Sequence, residues 1–107
     1  MNKAEKAKIL DELGGIDEAD YDALVAELIR EGGKQILSLE AALQRGDLDG
    51  IAKIAHAIKG AAGNLRIYRI QEIAGALESE AQGGKDRSRI ASGLQGLIRE
   101  LAARKAG

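Results

Sequence analysis

The chain has 107 residues, 45% of them hydrophobic and 31% charged, and its formal net charge of −1 argues against nucleic-acid binding. The chain has no cysteine and one histidine, and these counts exclude disulfides, thiolate metal sites and multi-histidine metal sites. No apolar run reaches the roughly 20 residues that cross a bilayer, and residues 1–6 lack the apolar segment of a signal peptide, so we expect a cytoplasmic protein without membrane contact.

The residue types predict a single all-α domain over residues 1–107. The chain has no proline, threonine, phenylalanine or tryptophan, whereas strands favour β-branched and aromatic residues. It is rich in Ala, Leu, Ile, Glu, Lys, Arg and Gln, most of which are strong helix formers. Because proline is absent, glycines mark the candidate breaks between helices.

The first two helices are predicted at about 3–13 and 18–45. The short first helix places Ile9, Leu10 and Leu13 on one face and needs a surface to pack on, because so short a helix is marginal alone. The second carries an apolar stripe within a sector of about 120°. The stripe consists of Leu24, Leu28, Ile36, Leu39 and Leu43. Because the stripe continues across Gly32–Gly33, we expect one long helix; two helices with a tight break there are the alternative.

Three further helices complete the predicted fold. The third follows Asp47, a good N-cap residue, and its apolar stripe extends to Leu65. The fourth spans about 68–82 and ends at Gly83–Gly84, and the fifth spans about 86–104. Short connections between the last four helices predict an antiparallel up-down four-helix bundle over residues 18–104, capped by the short N-terminal helix.

His56, the single histidine, is predicted to lie on the surface of the third helix. At 100° per residue it stands about 120° from the centre of that helix's apolar stripe. Helical spacing places Ala52, Lys59, Gly60 and Gly63 on the same face. Glycines cost about 1 kcal/mol each inside a helix, so their placement suggests that a partner approaches the imidazole closely. For Gly63, a frayed helix end is the alternative explanation.

The chemistry of this face suits a phosphohistidine carrier. An exposed imidazole can act as a nucleophile and form a covalent intermediate, and a free imidazole is largely neutral at pH 7. A lysine one turn away can stabilise phosphoryl oxygens. No Ser or Cys nucleophile pairs with this histidine in any visible motif, which argues against a hydrolase.

The string His-Ala-Ile-Lys-Gly-Ala-Ala-Gly-Asn-Leu at 56–65 resembles the signature of histidine phosphotransfer (HPt) domains of bacterial multi-step phosphorelays. The family pattern is His-x-apolar-Lys-Gly, followed by small residues and Leu. A looser resemblance, in the order of helices and glycine breaks, extends over residues 20–104. One position departs from the pattern: Arg66 stands where many family members have glycine, so the turn after the third helix has to be made differently.

The resemblance implies a role for each residue of this face. His56 would accept a phosphoryl group from a phospho-aspartate of one receiver domain and pass it to an aspartate of another, with Nε2 as the family's acceptor atom. Lys59 would offset phosphate charge, and Gly60 would leave room beside the ring. The rest of the docking surface would consist of Ala52, Lys53, Gly63 and Asn64.

The resemblance also implies partners and a cofactor. The partners would be response-regulator receiver domains, a hybrid sensor histidine kinase, or both. The chain would hold no cofactor or metal of its own, and Mg²⁺ would be bound by the receiver. We expect a monomer that carries phosphate stoichiometrically and has no ATP-dependent kinase activity.

Two other interpretations remain open from the sequence. A phosphoacceptor module of a chemotaxis-type histidine kinase shares the His-x-x-Lys-Gly pattern and the bundle. A non-catalytic helical interaction scaffold would make His56 incidental. A sensor-kinase dimerisation domain fits less well, because it places an acidic residue after the histidine and a proline soon after. Here Ala57 follows, and the chain has no proline.

Overall fold

A computed structural model describes residues 1–84 and 86–105 as five α-helices. Lys85, Ala106 and Gly107, which the predicted domain includes, lie outside the described residues. The helices are α1 (Lys3–Glu12), α2 (Glu18–Arg45), α3 (Leu48–Asn64), α4 (Tyr68–Gly83) and α5 (Arg87–Lys105). These bounds agree with the predicted ones to within about a residue, and the all-α prediction is confirmed.

Helices α2 to α5 form a closed ring around one core. α3 packs against α4, α4 against α5, and α2 against both α3 and α5, so the α3–α4 seam lies opposite the α2–α5 seam. Aliphatic side chains and alanines fill the interior, where complete burial of an Ile or Leu is worth about 1.5–3 kcal/mol. The largest fully buried aliphatic side chains are Leu39, Ile51, Ile58, Ile70, Leu77, Ile90 and Leu97.

Helix α2 is continuous through Gly32–Gly33, as expected. A Cβ at Gly32 would lie 3.0 Å from Leu101 Cδ2, so glycine there allows the end of α5 to pack closely. Leu24 was expected in the core, but its side chain is 46% exposed. It stands at the edge of the predicted sector, and Tyr21, one turn earlier, occupies the buried position instead.

Helix α1 covers the end of the bundle at which α2 begins, in agreement with the prediction. Ile9 is its one buried residue, while Leu10 and Leu13 are half-buried. Lys6 Nζ pairs with Asp22 at 2.7 Å. None of the helices in the described ranges is long and apolar enough to cross a membrane.

The turn between α3 and α4 explains how Arg66 replaces the expected glycine. Arg66 adopts the left-handed conformation, with φ of 61°. Its backbone N–H donates to Gly63 O at 3.0 Å and that of Ile67 to Ala62 O at 2.9 Å, which is the Schellman pattern of helix ends. The Arg66 guanidinium also donates to the Gly63 and Asn64 carbonyls at 3.1 and 3.3 Å. These bonds offset the cost of about 1 kcal/mol for a non-glycine residue in this conformation.

Candidate functional site

His56 lies on the outer face of α3, as predicted, with its side chain 68% exposed. The local sequence explains this placement. The apolar residues of α3 recur at helical spacing and turn into the bundle, and Ala55 and Ile58 on either side of the histidine are fully buried. The imidazole is therefore held on a rigid helix and projects away from the core.

Glu78 of α4 joins His56 and Lys59 across the α3–α4 seam. Its Oε2 atom lies 2.8 Å from His56 Nδ1, and its Oε1 atom accepts a hydrogen bond from Lys59 Nζ at 2.5 Å. The Glu78 side chain is only 12% exposed. One partly sequestered carboxylate thus holds both side chains that the sequence singled out.

The sequence analysis did not single out Glu78, although a signal for it exists. His56 lies ten residues before Arg66, and residue 76 lies ten residues after it. In an antiparallel helix pair that turns at Arg66, these two positions face each other. Glu78 is the nearest acidic residue to that point in α4, so counting from the turn would have found it.

The electrostatics of the pair define the tautomer of His56. The hydrogen bond from Lys59 is the main cause that lowers the pKa of Glu78, and the bond to His56 adds to it against the opposing effect of partial burial. An ionised carboxylate only accepts hydrogen bonds, so Nδ1 of His56 carries the proton. In a neutral imidazole the lone pair then resides on Nε2.

Gly75 of α4 makes room for the stem of Lys59. A Cβ at position 75 would lie 3.3 Å from Lys59 Cδ, a distance at which the stem would have to move. The aliphatic part of the Lys59 side chain therefore passes over the backbone of Gly75 on its way to Glu78. The Lys59 side chain remains 35% exposed. Gly75 is a second residue of the site that the sequence analysis missed.

The predicted docking residues fall into two groups. Gly60, Lys53 and Asn64 are exposed, and a Cβ at Gly60 would meet nothing within 4 Å. Gly63 is half-buried, and a Cβ there would approach Gln71 Nε2 to 2.9 Å. The nearest atoms to a Cβ at Gly63 all belong to the flexible end of the Gln71 side chain, which can move aside. No fixed contact of the described chain therefore requires glycine at position 63 or at position 60.

Ala52 requires a correction, because it is 8% exposed and packs with the core. It lies on the flank of α3 that also carries Lys59 and Gly63, at spacings of seven and eleven residues. Both of those residues contact α4, so α4 covers this flank. Ala52 therefore offers almost no surface to a partner.

No three His, Asp or Glu side chains in residues 1–84 and 86–105 gather in a way that could hold a metal ion. The acidic side chain nearest to the imidazole, Glu78, is already engaged by two cationic or hydrogen-bonding groups of α3. The chemistry available at this site is that of an oriented imidazole with an adjacent ammonium group.

Three comparisons with known proteins bear on this site. The family model described as Hpt domain matches residues 23–104. The fold is similar to the crystal structure of histidine-containing phosphotransfer protein B (HptB) from Pseudomonas aeruginosa PAO1, with a TM-score of 0.74 and 27% sequence identity. That alignment covers 92% of this chain and 85% of that one. No curated protein matches the chain.

Proposed function

The chain belongs to the Hpt domain family, and on that premise we propose that it is a phosphocarrier in a multi-step His-Asp phosphorelay. His56 takes a phosphoryl group from the aspartate of one receiver domain and passes it to the aspartate of another. A histidine phosphotransfer role follows from the family and from the likeness to HptB. The identity of His56 as acceptor and the use of receiver domains on both sides belong to the proposal.

The observation that carries the proposal is the contact between His56 Nδ1 and Glu78, 2.8 Å long, beneath a largely exposed ring. With the proton held on Nδ1, the Nε2 lone pair is available to an incoming phosphorus atom. An incidental surface histidine would have no need of a partly buried carboxylate that orients it.

The transfer step involves one bond formed and one broken. The Nε2 lone pair attacks the phosphorus of the aspartyl phosphate, the N–P bond forms, and the P–O bond to the aspartate breaks so that its carboxylate leaves. The ring becomes cationic and keeps its Nδ1 proton, and the Glu78 carboxylate offsets that charge. Transfer to the second receiver reverses these events at another aspartate.

Lys59 supplies positive charge beside the phosphoryl group. Its ammonium is held by Glu78 Oε1 at 2.5 Å, next to the ring that is modified. The single carboxylate therefore positions both the nucleophile and the cation that offsets phosphoryl charge. Mg²⁺ acts from the receiver in this proposal, as expected from the resemblance.

Gly60 is the centre of the proposed docking surface, with Lys53 and Asn64 beside it. Its lack of a side chain opens the helix backbone next to the ring, and these neighbours are exposed. Gly63 contributes at the edge of this surface, where its half-buried backbone also packs on α4. Ala52 is left out because it is covered.

The chain acts in this proposal as a monomeric, stoichiometric carrier in the cytoplasm, without ATP-dependent kinase activity. The monomeric state is supported by a ring of four helices that closes within one chain and buries its own core. Sedimentation at several concentrations tests the monomeric state directly.

Phosphoramidate, a small donor to histidine, tests the acceptor without any partner. The protein and its His56→Gln variant are incubated with it, and intact masses are recorded before and after mild acid. We expect one acid-labile phosphate on the wild-type protein and none on the variant, with equal helical circular dichroism. A labelled variant would place the acceptor elsewhere, and an unlabelled, folded wild-type protein would favour the scaffold.

A further inference from the structure

A groove runs along the α2–α5 seam, on the side of the bundle opposite His56 and Glu78. It consists of two adjoining cavities of about 600 and 180 Å³ that share Ile29 and Gly33. We name it the α2–α5 groove. Its floor residues are Val25, Ile29, Gly33, Ile36, Ile98 and Leu101.

Gly33 is the unusual residue of this floor. It lies inside the 28-residue helix α2, where glycine is the least favourable residue type after proline. Its neighbour Gly32 is explained by Leu101, but a Cβ at Gly33 would meet nothing within 4 Å. Gly33 is also exposed. No packing contact within the described chain requires glycine at this position. We therefore infer that a group of another molecule approaches the backbone closely here, as inferred for Gly60.

The edges of the groove are predominantly cationic. Lys6, Arg30 and Arg104 line the larger cavity, together with one carboxylate, that of Asp22. Each cation has a carboxylate neighbour within the chain: Lys6 pairs with Asp22, Arg30 with Glu27 and Arg104 with Glu100. The Arg30–Glu27 pair is exposed, whereas Lys6, Arg104 and Glu100 are half-buried, but all three pairs reach solvent. Ion pairs at a protein surface contribute little stability, so carboxylates of a ligand can compete for these cations.

The shape of the floor fits a helix. Its α2 residues follow helical spacing from Val25 to Ile36, a length of about 16 Å, or three turns. Helices α2 and α5 run side by side and leave a channel between them. Amphipathic helices bind in such channels through apolar residues at i, i+3, i+4 and i+7. The missing side chain at Gly33, in the middle of the floor, allows the two backbones to come close.

We propose that the α2–α5 groove binds an amphipathic helix of a partner protein, with its apolar stripe on the floor and its carboxylates against Lys6, Arg30 and Arg104. A second copy of this chain fits poorly, because a two-fold contact would bring the same three cations face to face. The groove is separate from the phosphotransfer face, so a partner bound here leaves His56 accessible.

The test uses two synthetic peptides of about 18 residues, a length that supports helix formation. They share one leucine stripe, flanked by glutamates in the first and by lysines in the second. Each is titrated into ¹⁵N-labelled protein. We expect the acidic peptide to bind at least about tenfold more tightly at low salt, with an advantage that shrinks as salt rises. Amide shifts should centre on Gly33, Ala26 and Ala102.

Gly33→Gln is the decisive variant, because it adds a side chain to the floor at a position where a Cβ meets nothing within 4 Å. It should weaken acidic-peptide binding by about tenfold or more, raise the melting temperature and leave phosphoramidate labelling of His56 unchanged. Ser38→Gln is the matched control. It is an exposed position of α2 about 140° around the helix from Gly33, and its variant should bind like the wild-type protein.

Several results would overturn the proposal. The two peptides could bind with equal affinity, or neither could bind. Amide chemical-shift changes could centre on the face around Gly60, or the Gly33→Gln variant could bind the acidic peptide as tightly as the wild-type protein. Dimerisation that Gly33→Gln abolishes would assign the groove to a second copy. Binding of dodecyl sulfate but of neither peptide would assign it to a lipid-like molecule. Loss of His56 labelling in Gly33→Gln would show that groove and phosphotransfer face are not separate.

Discussion

The Oε2 atom of Glu78 lies 2.8 Å from Nδ1 of His56, across the seam between α3 and α4. Because the carboxylate is ionised and accepts, this contact holds the proton on Nδ1 and leaves Nε2 free. The same carboxylate engages Lys59 through its other oxygen. The orientation of His56 and of its neighbour Lys59 therefore depends on a residue of a different helix.

Replacement of Glu78 by Gln should slow phosphorylation of His56 without removing it. A neutral amide still reaches Nδ1, but it can donate as well as accept and no longer stabilises the cationic ring. We expect labelling by phosphoramidate to fall roughly tenfold or more, by analogy with carboxylates that orient metal-bound histidines. The rate is followed by intact mass, with Glu80→Gln as a control on the same helix. Equal rates in the two variants would contradict the role of Glu78.

The ionisation of Glu78 should respond to Lys59. Because the pKa of Glu78 is lowered in the folded state, the stabilisation from its contacts is present above the ordinary glutamate pKa and is lost as pH falls through the lowered value. NMR titration of the Glu78 carboxyl carbon measures the midpoint. The Lys59→Met variant should move that midpoint upward, because the hydrogen bond from Lys59 that mainly lowers the pKa of Glu78 is gone. An unchanged midpoint would show that Lys59 does not hold the carboxylate in solution.

Gly60→Leu should separate docking from chemistry. The position is open, so the helix tolerates a side chain there and should gain up to about 1 kcal/mol. We expect phosphoramidate to label His56 at the wild-type rate, since the small donor needs no docking surface, while transfer from a phosphorylated receiver domain is blocked. Normal transfer from the receiver would remove Gly60 from the docking surface.

Replacement of Arg66 by glycine should cost less stability than replacement by alanine. Both variants lose the guanidinium bonds to the Gly63 and Asn64 carbonyls, but only glycine adopts φ of 61° without strain. Arg66→Ala should therefore be less stable than Arg66→Gly by about 1 kcal/mol. Urea unfolding of the two variants measures this difference. Equal stabilities would show that the turn is made in some other way.

Ile58→Ala tests the orientation of α3 directly. Ile58 is 1% exposed, so its truncation should cost roughly 2–5 kcal/mol of unfolding free energy. Leu37→Ala is the matched control, because Leu37 is 68% exposed and a surface truncation costs about 0.5 kcal/mol or less. Equal melting temperatures would show that Ile58 is not in the core. The rotation of α3 that turns His56 toward solvent would then be wrong.

Much of the molecule followed from the sequence because its signals are local. Apolar residues at helical spacing predicted the five helices to within about a residue, the continuity of α2 and the exposure of His56. The string at 56–65 pointed to Lys59 and Gly60 as companions of the histidine. Each of these conclusions could be drawn from the sequence of a single helix, because helical periodicity relates residues only three or four positions apart.

The tertiary structure decided which side chains meet. It brought Glu78 and Gly75 of α4 to His56 and Lys59, covered Ala52 with α4 and exposed Leu24 at the edge of its stripe. It also gave Arg66 carbonyl partners that offset its left-handed backbone. The physical reason is that an apolar stripe defines which face of a helix turns inward, but not its rotation and offset against a neighbour. Those depend on how side chains from both helices fit together.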